Sequence, residues 1–224
     1  MLDINVILKG HFRTFADTHT SWDRALAPYS HKMYLHTWNT KDCDTKSWHK
    51  FRLGTQALTD AEHSLLRHYD PEYVVEEQTF TEKERNAIAI SRPFKTYLYF
   101  WQGIHSCLSR ITEPSKYILI GRYDMILLND VLNISCEPDE IVIGYAPRSP
   151  PTPTLKYGMT DIVFLIRYEE RHKLEKIPAN ILEMPTKTYD CRDISEDPMT
   201  EFYQQLWSKV TPRWLIRRDI DIKR

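Results

Sequence analysis

The sequence predicts an α/β protein, a three-layer α/β/α sandwich on a mostly parallel sheet, and three observations carry that reading. Strand-like apolar runs alternate with amphipathic helical stretches over most of the 224 residues, the pattern of a parallel sheet covered by helices. The run Ile118-Leu119-Ile120, bounded by Gly121-Arg122-Tyr123-Asp124, is apolar on both faces, as central strands of parallel sheets are. Ile4 to Lys9 is a second such run at the N-terminus, closed by Gly10, and a first strand of this kind usually sits in mid-sheet.

The elements follow in order. Thr20 or Ser21 is placed to cap a helix through Trp22, Leu26 and Tyr29, and Lys32 to Trp38 then makes a second strand, completing a βαβ unit. Asn39 to Lys50 is polar and charged and reads as a surface loop at that strand's exit. Thr59-Asp60-Ala61-Glu62 has the form of a capping box and opens a helix with Leu65 and Leu66 that stops at Asp70-Pro71. Glu72 to Phe80 is rich in strand formers, and Thr81 to Arg92 is charged with little periodicity. Pro93 starts an apolar helix through Leu98, Trp101, Ile104, Cys107, Leu108 and Ile111, which feeds the central strand. After Met125 to Leu128 come an apolar run at Glu140 to Tyr145 and a Pro-rich loop at Pro147 to Pro153, a candidate lid or acceptor-binding element. Ile162 to Ile166 reads as a strand, Tyr168 to Met184 and Met199 to Val210 as helices, and Trp214 to Lys223 as a last strand. With no internal repeat, residues 1–224 read as one domain.

Composition excludes several classes. A net charge of −1 supplies no global basic field, so neither nucleic acid nor an anionic membrane is an expected partner. The apolar runs are far shorter than the ~20 residues of a membrane span, and Met1 to Gly10 has no basic region or cleavage site. The expectation is a chain without a membrane span, resident in the cytoplasm. Cys43, Cys107, Cys136 and Cys191 lie far apart and fit free thiols in a reducing compartment. Only 6 glycines are present, with no G-x-G-x-x-G or Walker loop, which argues against Rossmann dehydrogenases and P-loop kinases. No nucleophile elbow is present either, so a hydrolase triad lacks support.

Arg122 and Asp124 stand out because charges two residues apart on an extended chain point the same way and are rarely buried without a partner. Two readings stand: an internal salt bridge that pins a loop, or a grip on an anionic substrate bridged by Mn2+ or Mg2+, with Asp124 as the metal ligand and Arg122 on the phosphates. Gly10-His11-Phe12-Arg13-Thr14 follows the first strand, where sheets of this kind hold nucleotides; Arg13 is a candidate phosphate ligand and Thr14 a hydrogen-bond donor. His36-Thr37-Trp38 ends the second strand, and Trp38 offers a surface for a base or a piece of core. Asp161, heading an apolar strand after Gly158, suits a general base toward an acceptor hydroxyl or a turn cap. Asp42-Cys43-Asp44 and Asp219-Ile220-Asp221 are D-x-D strings that read as solvated surface, and Asp130 as a second acid near the central strand or a helix cap.

Together, Gly10 to Phe15, Tyr34-Leu35-His36-Thr37-Trp38, Ile120 to Asp124 and Gly158 to Phe164 resemble, in order and spacing, small GT-A-type glycosyltransferases of bacterial surface-glycan clusters and large DNA viruses. The resemblance implies a GT-A-like fold, a nucleotide-sugar donor (UDP- or GDP-linked) on the N-terminal half, and a glycan or glycoprotein acceptor on the C-terminal half. It puts Arg122 and Asp124 in place of the family's D-x-D, with Gly10, His11, Arg13, Thr14, His36 and Trp38 around the nucleotide. Asp161 falls at the catalytic or acceptor carboxylate. For a viral member the compartment would be the host cytoplasm. This chain departs from the family in having Asn39 after Trp38 where an Asp is frequent, and in lacking a full D-x-D at the central strand. Two other functions fit the same sequence, a nucleotidyltransferase-like enzyme and a non-catalytic carbohydrate- or protein-binding module.

Overall fold

Alternating side chains decide the layers. The structure, a computed structural model, describes residues 1–41, 56–77, 92–127, 136–138, 140–145, 163–175 and 215–223. Strand β1 (Leu2–Gly10) runs through the middle of the sheet, paired in parallel with β2 (His31–Trp38) on one side and β4 (Ser115–Arg122) on the other. The register aligns Leu8 with Leu35 and Gly121, so Ile4, Val6, Leu8, Met33, Leu35, Tyr117 and Leu119 share one face. That face is covered by α1 (Phe15–Leu26), through Trp22 and Leu26, and by α2 (Asp60–Tyr69), through Leu66. Alternate residues, among them Ile7, Lys9, Tyr34, His36, Ile118 and Ile120, face α3 (Arg92–Leu108). Gly103 of α3 packs against His36 and Lys9, and the Cys107 thiol donates to the Tyr34 carbonyl at 3.5 Å. Helices therefore cover both faces, giving the three layers expected.

Two glycines let the layers close. A Cβ at Gly121 would lie 2.4 Å from the Trp22 ring, and one at Gly103 would lie 2.8 Å from His36 Nδ1. Both helices pack directly on the sheet at these points.

Beyond β2 lies β3 (Val74–Glu76), also parallel. β3 meets only the last three residues of β2, so on the side away from β1 no strand among the described residues lies beside Leu35. Two side chains substitute for the missing strand. Asp70 Oδ2 accepts from Leu35 N at 2.7 Å, and Arg110 Nη2 donates to Leu35 O at 2.9 Å. Arg110 Nη1 also donates to Asp70 Oδ2 at 2.9 Å, closing a largely buried ring of hydrogen bonds. Asp70 thus stops α2, as the sequence indicates, and satisfies buried backbone as well.

The remaining strands are β5 (Ile126–Leu127), β6 (Glu140–Tyr145), β7 (Phe164–Arg167) and β8 (Leu215–Lys223). After β7 come a 3-10 turn (Tyr168–Glu170) and α4 (Arg171–Glu175). The sheet order is β3-β2-β1-β4-β7-β6-β8-β5. Six strands, β1 to β4, β6 and β8, run in one direction; β7 is antiparallel to both its neighbours and β5 to β8. Because of the reversal, β7 enters the sheet beside the end of β4, with Phe164 opposite Ile120.

The capping box forms as its sequence predicts: Glu62 N donates to Thr59 Oγ1, and Thr59 N donates to Glu62 Oε2. The start of α1 differs from expectation. The helix begins at Phe15 after Thr14, so the expected caps Thr20 and Ser21 both lie inside it, and the Ser21 hydroxyl donates to Thr18 O at 2.8 Å. Cys107 and Cys136 are buried free thiols. Among the described residues no helix is long and apolar enough to cross a membrane. The expected helix at Met199 to Val210, the loop at Pro147 to Pro153, Cys43 and Cys191 lie outside the described residues.

Candidate functional site

Chain order and sheet order part company at one place. From β1 the chain moves outward through α1 to β2 and then to β3; it returns through α3, on the opposite face, to lay β4 against the other side of β1. Between the carboxyl ends of β1 and β4 the flanking connections diverge, a topological switch point of the kind where open α/β sheets bind their ligands.

The turn that leaves β1 is shaped for this place. Gly10 has φ +110°, a left-handed conformation with open space around its Cβ position, so backbone freedom is what the site requires of it. Arg13 has φ +43°, a conformation that costs a non-glycine residue about 1–3 kcal/mol. The exit of β2 holds this turn: His11 Nδ1 donates to Thr40 O at 2.9 Å, and Arg13 N donates to Lys41 O at 3.0 Å. Thr14 precedes α1, and its exposed side chain makes no capping hydrogen bond. The amino end of α1 adds its partial positive charge at the same place.

Opposite stands the turn that leaves β4. Arg122 Nε donates to Asp124 Oδ1 at 2.9 Å and Nη2 to Oδ2 at 2.5 Å, a two-point grip. Arg13 Nη1 donates to the same Oδ2 at 3.0 Å. One carboxylate therefore holds two guanidiniums at the switch point. Arg122 and Asp124 are mostly buried, whereas the Arg13 side chain is 32% exposed.

The turn at Asp124 is fixed from below by two residues of α1, Thr18 and Trp22. Thr18 donates to Tyr123 O, and Trp22 Nε1 donates to Met125 O at 3.1 Å, so α1 grips the main chain on both sides of Asp124. Tyr123 is fully buried, its ring edge-on to Phe15 at 4.9 Å. The available signal was the spacing of Thr18 and Trp22, four residues apart on one helical face.

His36 and Trp38, expected around the nucleotide, are placed elsewhere. Both side chains point toward α3 and are buried, His36 completely. The two rings meet edge to face at 4.6 Å, and Trp38 packs on Tyr99 at 4.9 Å. His36 Nε2 lies 3.2 Å from Glu76 Oε2. The His36 imidazole keeps the Glu76 carboxyl below its ordinary value. Alternation marked the strand correctly but gave no sign that α3 seals this face.

No protein-family model and no curated protein sequence matches the chain. Three solved structures to which the chain is similar at low identity are glycosyltransferases. One is involved in glycosylation of the major capsid of PBCV-1; it is 12% identical with a TM-score of 0.45, over 96% of this chain and 82% of the other. The glycosyltransferase GlyE of Streptococcus pneumoniae TIGR4 is 12% identical with a TM-score of 0.45, over 96% of this chain and 44% of that one. The galactosyltransferase LgtC, solved with donor and acceptor sugar analogs, is 11% identical with a TM-score of 0.47, over 96% of this chain and 72% of that one.

The described residues do not fit a divalent cation at Asp124. Both carboxylate oxygens already accept from guanidiniums, and a cation would enter against two positive charges. No group of three or more His, Cys, Asp or Glu side chains among the described residues is arranged to hold a metal. Asp161, Asp130 and the Asp42-Cys43-Asp44 string lie outside the described residues. Asp219 and Asp221 fall on β8, next to β6 and well along the sheet from β1.

Proposed function

We propose that this chain is a glycosyltransferase that moves a sugar from a UDP- or GDP-linked donor to a hydroxyl of a glycan or glycoprotein. The observation that carries the reading is the meeting of Arg13, Arg122 and Asp124 at the divergence of β1 and β4. Two guanidiniums at the carboxyl edge of a parallel sheet suit a diphosphate, which accepts paired hydrogen bonds. Gly10, His11 and Thr14 line the turn where the nucleotide would lie.

In the reaction, an acceptor oxygen forms the new bond to the anomeric carbon as the bond from that carbon to the diphosphate oxygen breaks. The electron pair departs with the diphosphate, and Arg122 and Arg13 stabilise the charge that develops there. The hydroxyl proton passes to Asp161, the carboxylate we assign to this step. Support for that assignment comes from β7, which begins at Phe164, three residues after Asp161 in the chain, beside the end of β4. The N-terminal half would thus bind donor and the C-terminal half acceptor within one domain. The two buried thiols, Cys107 and Cys136, support a reducing compartment such as the cytoplasm.

A thermal-shift panel of nucleotide sugars and free nucleoside diphosphates tests the reading. A ligand at 100 times its Kd stabilises by about 2.7 kcal/mol, which for a chain of this size is a rise of roughly 5–10 °C. Donor hydrolysis or transfer by the stabilising compound is the expected companion result. Indifference to every compound, with no transfer detected, overturns the assignment.

A further inference from the structure

We propose that Asp124 is an internal stand-in for the donor's diphosphate, which takes Arg13 over from it, and that guanidiniums in place of a divalent cation neutralise the bound diphosphate. The inference rests on the transferase reading and adds how the charged part of the donor is held.

Three features of the cluster point this way. First, the chemistry is matched: a carboxylate that binds Arg122 at two points and also binds Arg13 presents to both arginines what a phosphate oxygen pair would present. Second, the two arginines are held unequally. Arg122 grips Asp124 at two points from a mostly buried side chain, whereas the Arg13 side chain is the more exposed of the two. Arg13 is the member able to change partner while Arg122 stays. Third, the sign of the charge is right for an anion. Of the three side chains, two are cations, and the amino end of α1 adds to them. A divalent cation seeking Asp124 would have to displace a guanidinium from each oxygen and remain beside both.

The Thr18 and Trp22 hydrogen bonds keep Asp124 in place when Arg13 leaves. The exchange therefore needs a side-chain movement at Arg13 and no rearrangement of the sheet. The left-handed backbone of Arg13, fixed through its N–H to Lys41 O, aims the side chain at Asp124 before any ligand arrives.

The test is isothermal titration of the whole chain with UDP, GDP and inorganic pyrophosphate, once in EDTA and once with Mn2+, for the wild type, Arg13→Gln and Asp124→Asn. A stand-in carboxylate predicts that the best-bound diphosphate has the same affinity in EDTA and Mn2+ within about threefold. Arg13→Gln weakens it about tenfold or more in both, the loss expected for a hydrogen bond to a charged group. Asp124→Asn, which removes the competing negative charge, leaves binding intact or tightens it. Circular dichroism confirms that both variants are folded. Binding that requires Mn2+ and disappears in Asp124→Asn overturns the stand-in and leaves the transferase reading in place. Binding in EDTA that ignores Arg13→Gln also overturns it. Failure of all three diphosphates under both conditions removes the transferase reading with it.

Discussion

Arg13 and Asp124 are 111 positions apart in the chain and 3.0 Å apart in space. Their meeting joins the turn after β1 to the turn after β4, and the backbone at Arg13 pays for it in strain, with φ at +43°. The substitution Arg13→Gly separates the two aspects. Glycine is at ease at this φ, so relief of strain offsets the lost ion pair and the extra freedom of the unfolded chain. Urea unfolding should show a stability change of less than about 1 kcal/mol, while nucleoside diphosphate affinity falls about tenfold or more.

Asp124→Ala removes the group that orients Arg122. Transfer should fall about 100-fold or more, with the donor KM changed far less, because the guanidinium remains nearby but is no longer aimed. Circular dichroism and the thermal midpoint check that the fold survives. Near-normal turnover in this variant would remove Arg122 and Asp124 from the reaction.

Gly121→Ala tests packing apart from function. The added methyl meets the Trp22 ring at 2.4 Å, and that ring is fully buried and hydrogen-bonded to Met125 O. Overpacking of this kind costs about 1–3 kcal/mol, and a thermal midpoint lower by some degrees is the expected reading. Because Trp22 also steadies the turn at Asp124, donor affinity should weaken in parallel.

Asp70→Ala breaks the ring that stands in for a missing strand beside Leu35. Arg110 is left largely buried without its carboxylate, and Leu35 N loses its acceptor. Removing one partner of a buried pair costs about 3–5 kcal/mol. Chemical denaturation of the variant measures it, and a loss under about 1 kcal/mol would contradict the role given to this pair.

Alkaline stability follows from two buried groups. Burial raises the Cys107 thiol from 9.0 to about 12 and raises the Tyr123 hydroxyl well above its ordinary value. In each case the folded chain keeps a proton that the unfolded chain loses. The resulting stability is present below about pH 9 and declines as pH rises toward 12. Urea midpoints measured from pH 7 upward should fall across that window, and Cys107 should resist alkylation at pH 8 until the chain unfolds.

How much of this was legible in the sequence depends on whether the decisive contact is local. Strands β1, β2 and β4 and the Thr59-Glu62 cap were readable because alternation and capping act within a few residues. The start of α1 was not, since Thr20 and Ser21 look like caps until the helix is seen to begin at Phe15, five residues before Thr20. The reversal of β7 was also hidden, because four apolar-rich residues read the same whichever way the strand runs. The Arg122 and Asp124 pair was visible; that Arg13 would reach it was not, nor that α3 would bury His36 and Trp38 away from the switch point. Both facts depend on which strands become neighbours and which helix covers them.

The pairing of β6 with β8 has a consequence for how the protein assembles during synthesis. Strands β3, β2, β1 and β4 all lie within the first 122 residues and are neighbours in the sheet. β6 emerges soon afterward, yet its partner on one side begins only at Leu215. Until then β6 presents a bare hydrogen-bonding margin to other nascent chains, a standing invitation to aggregation. Misassembly during expression should therefore concentrate in the later half of translation, and shortening the chain before Leu215 should aggravate it.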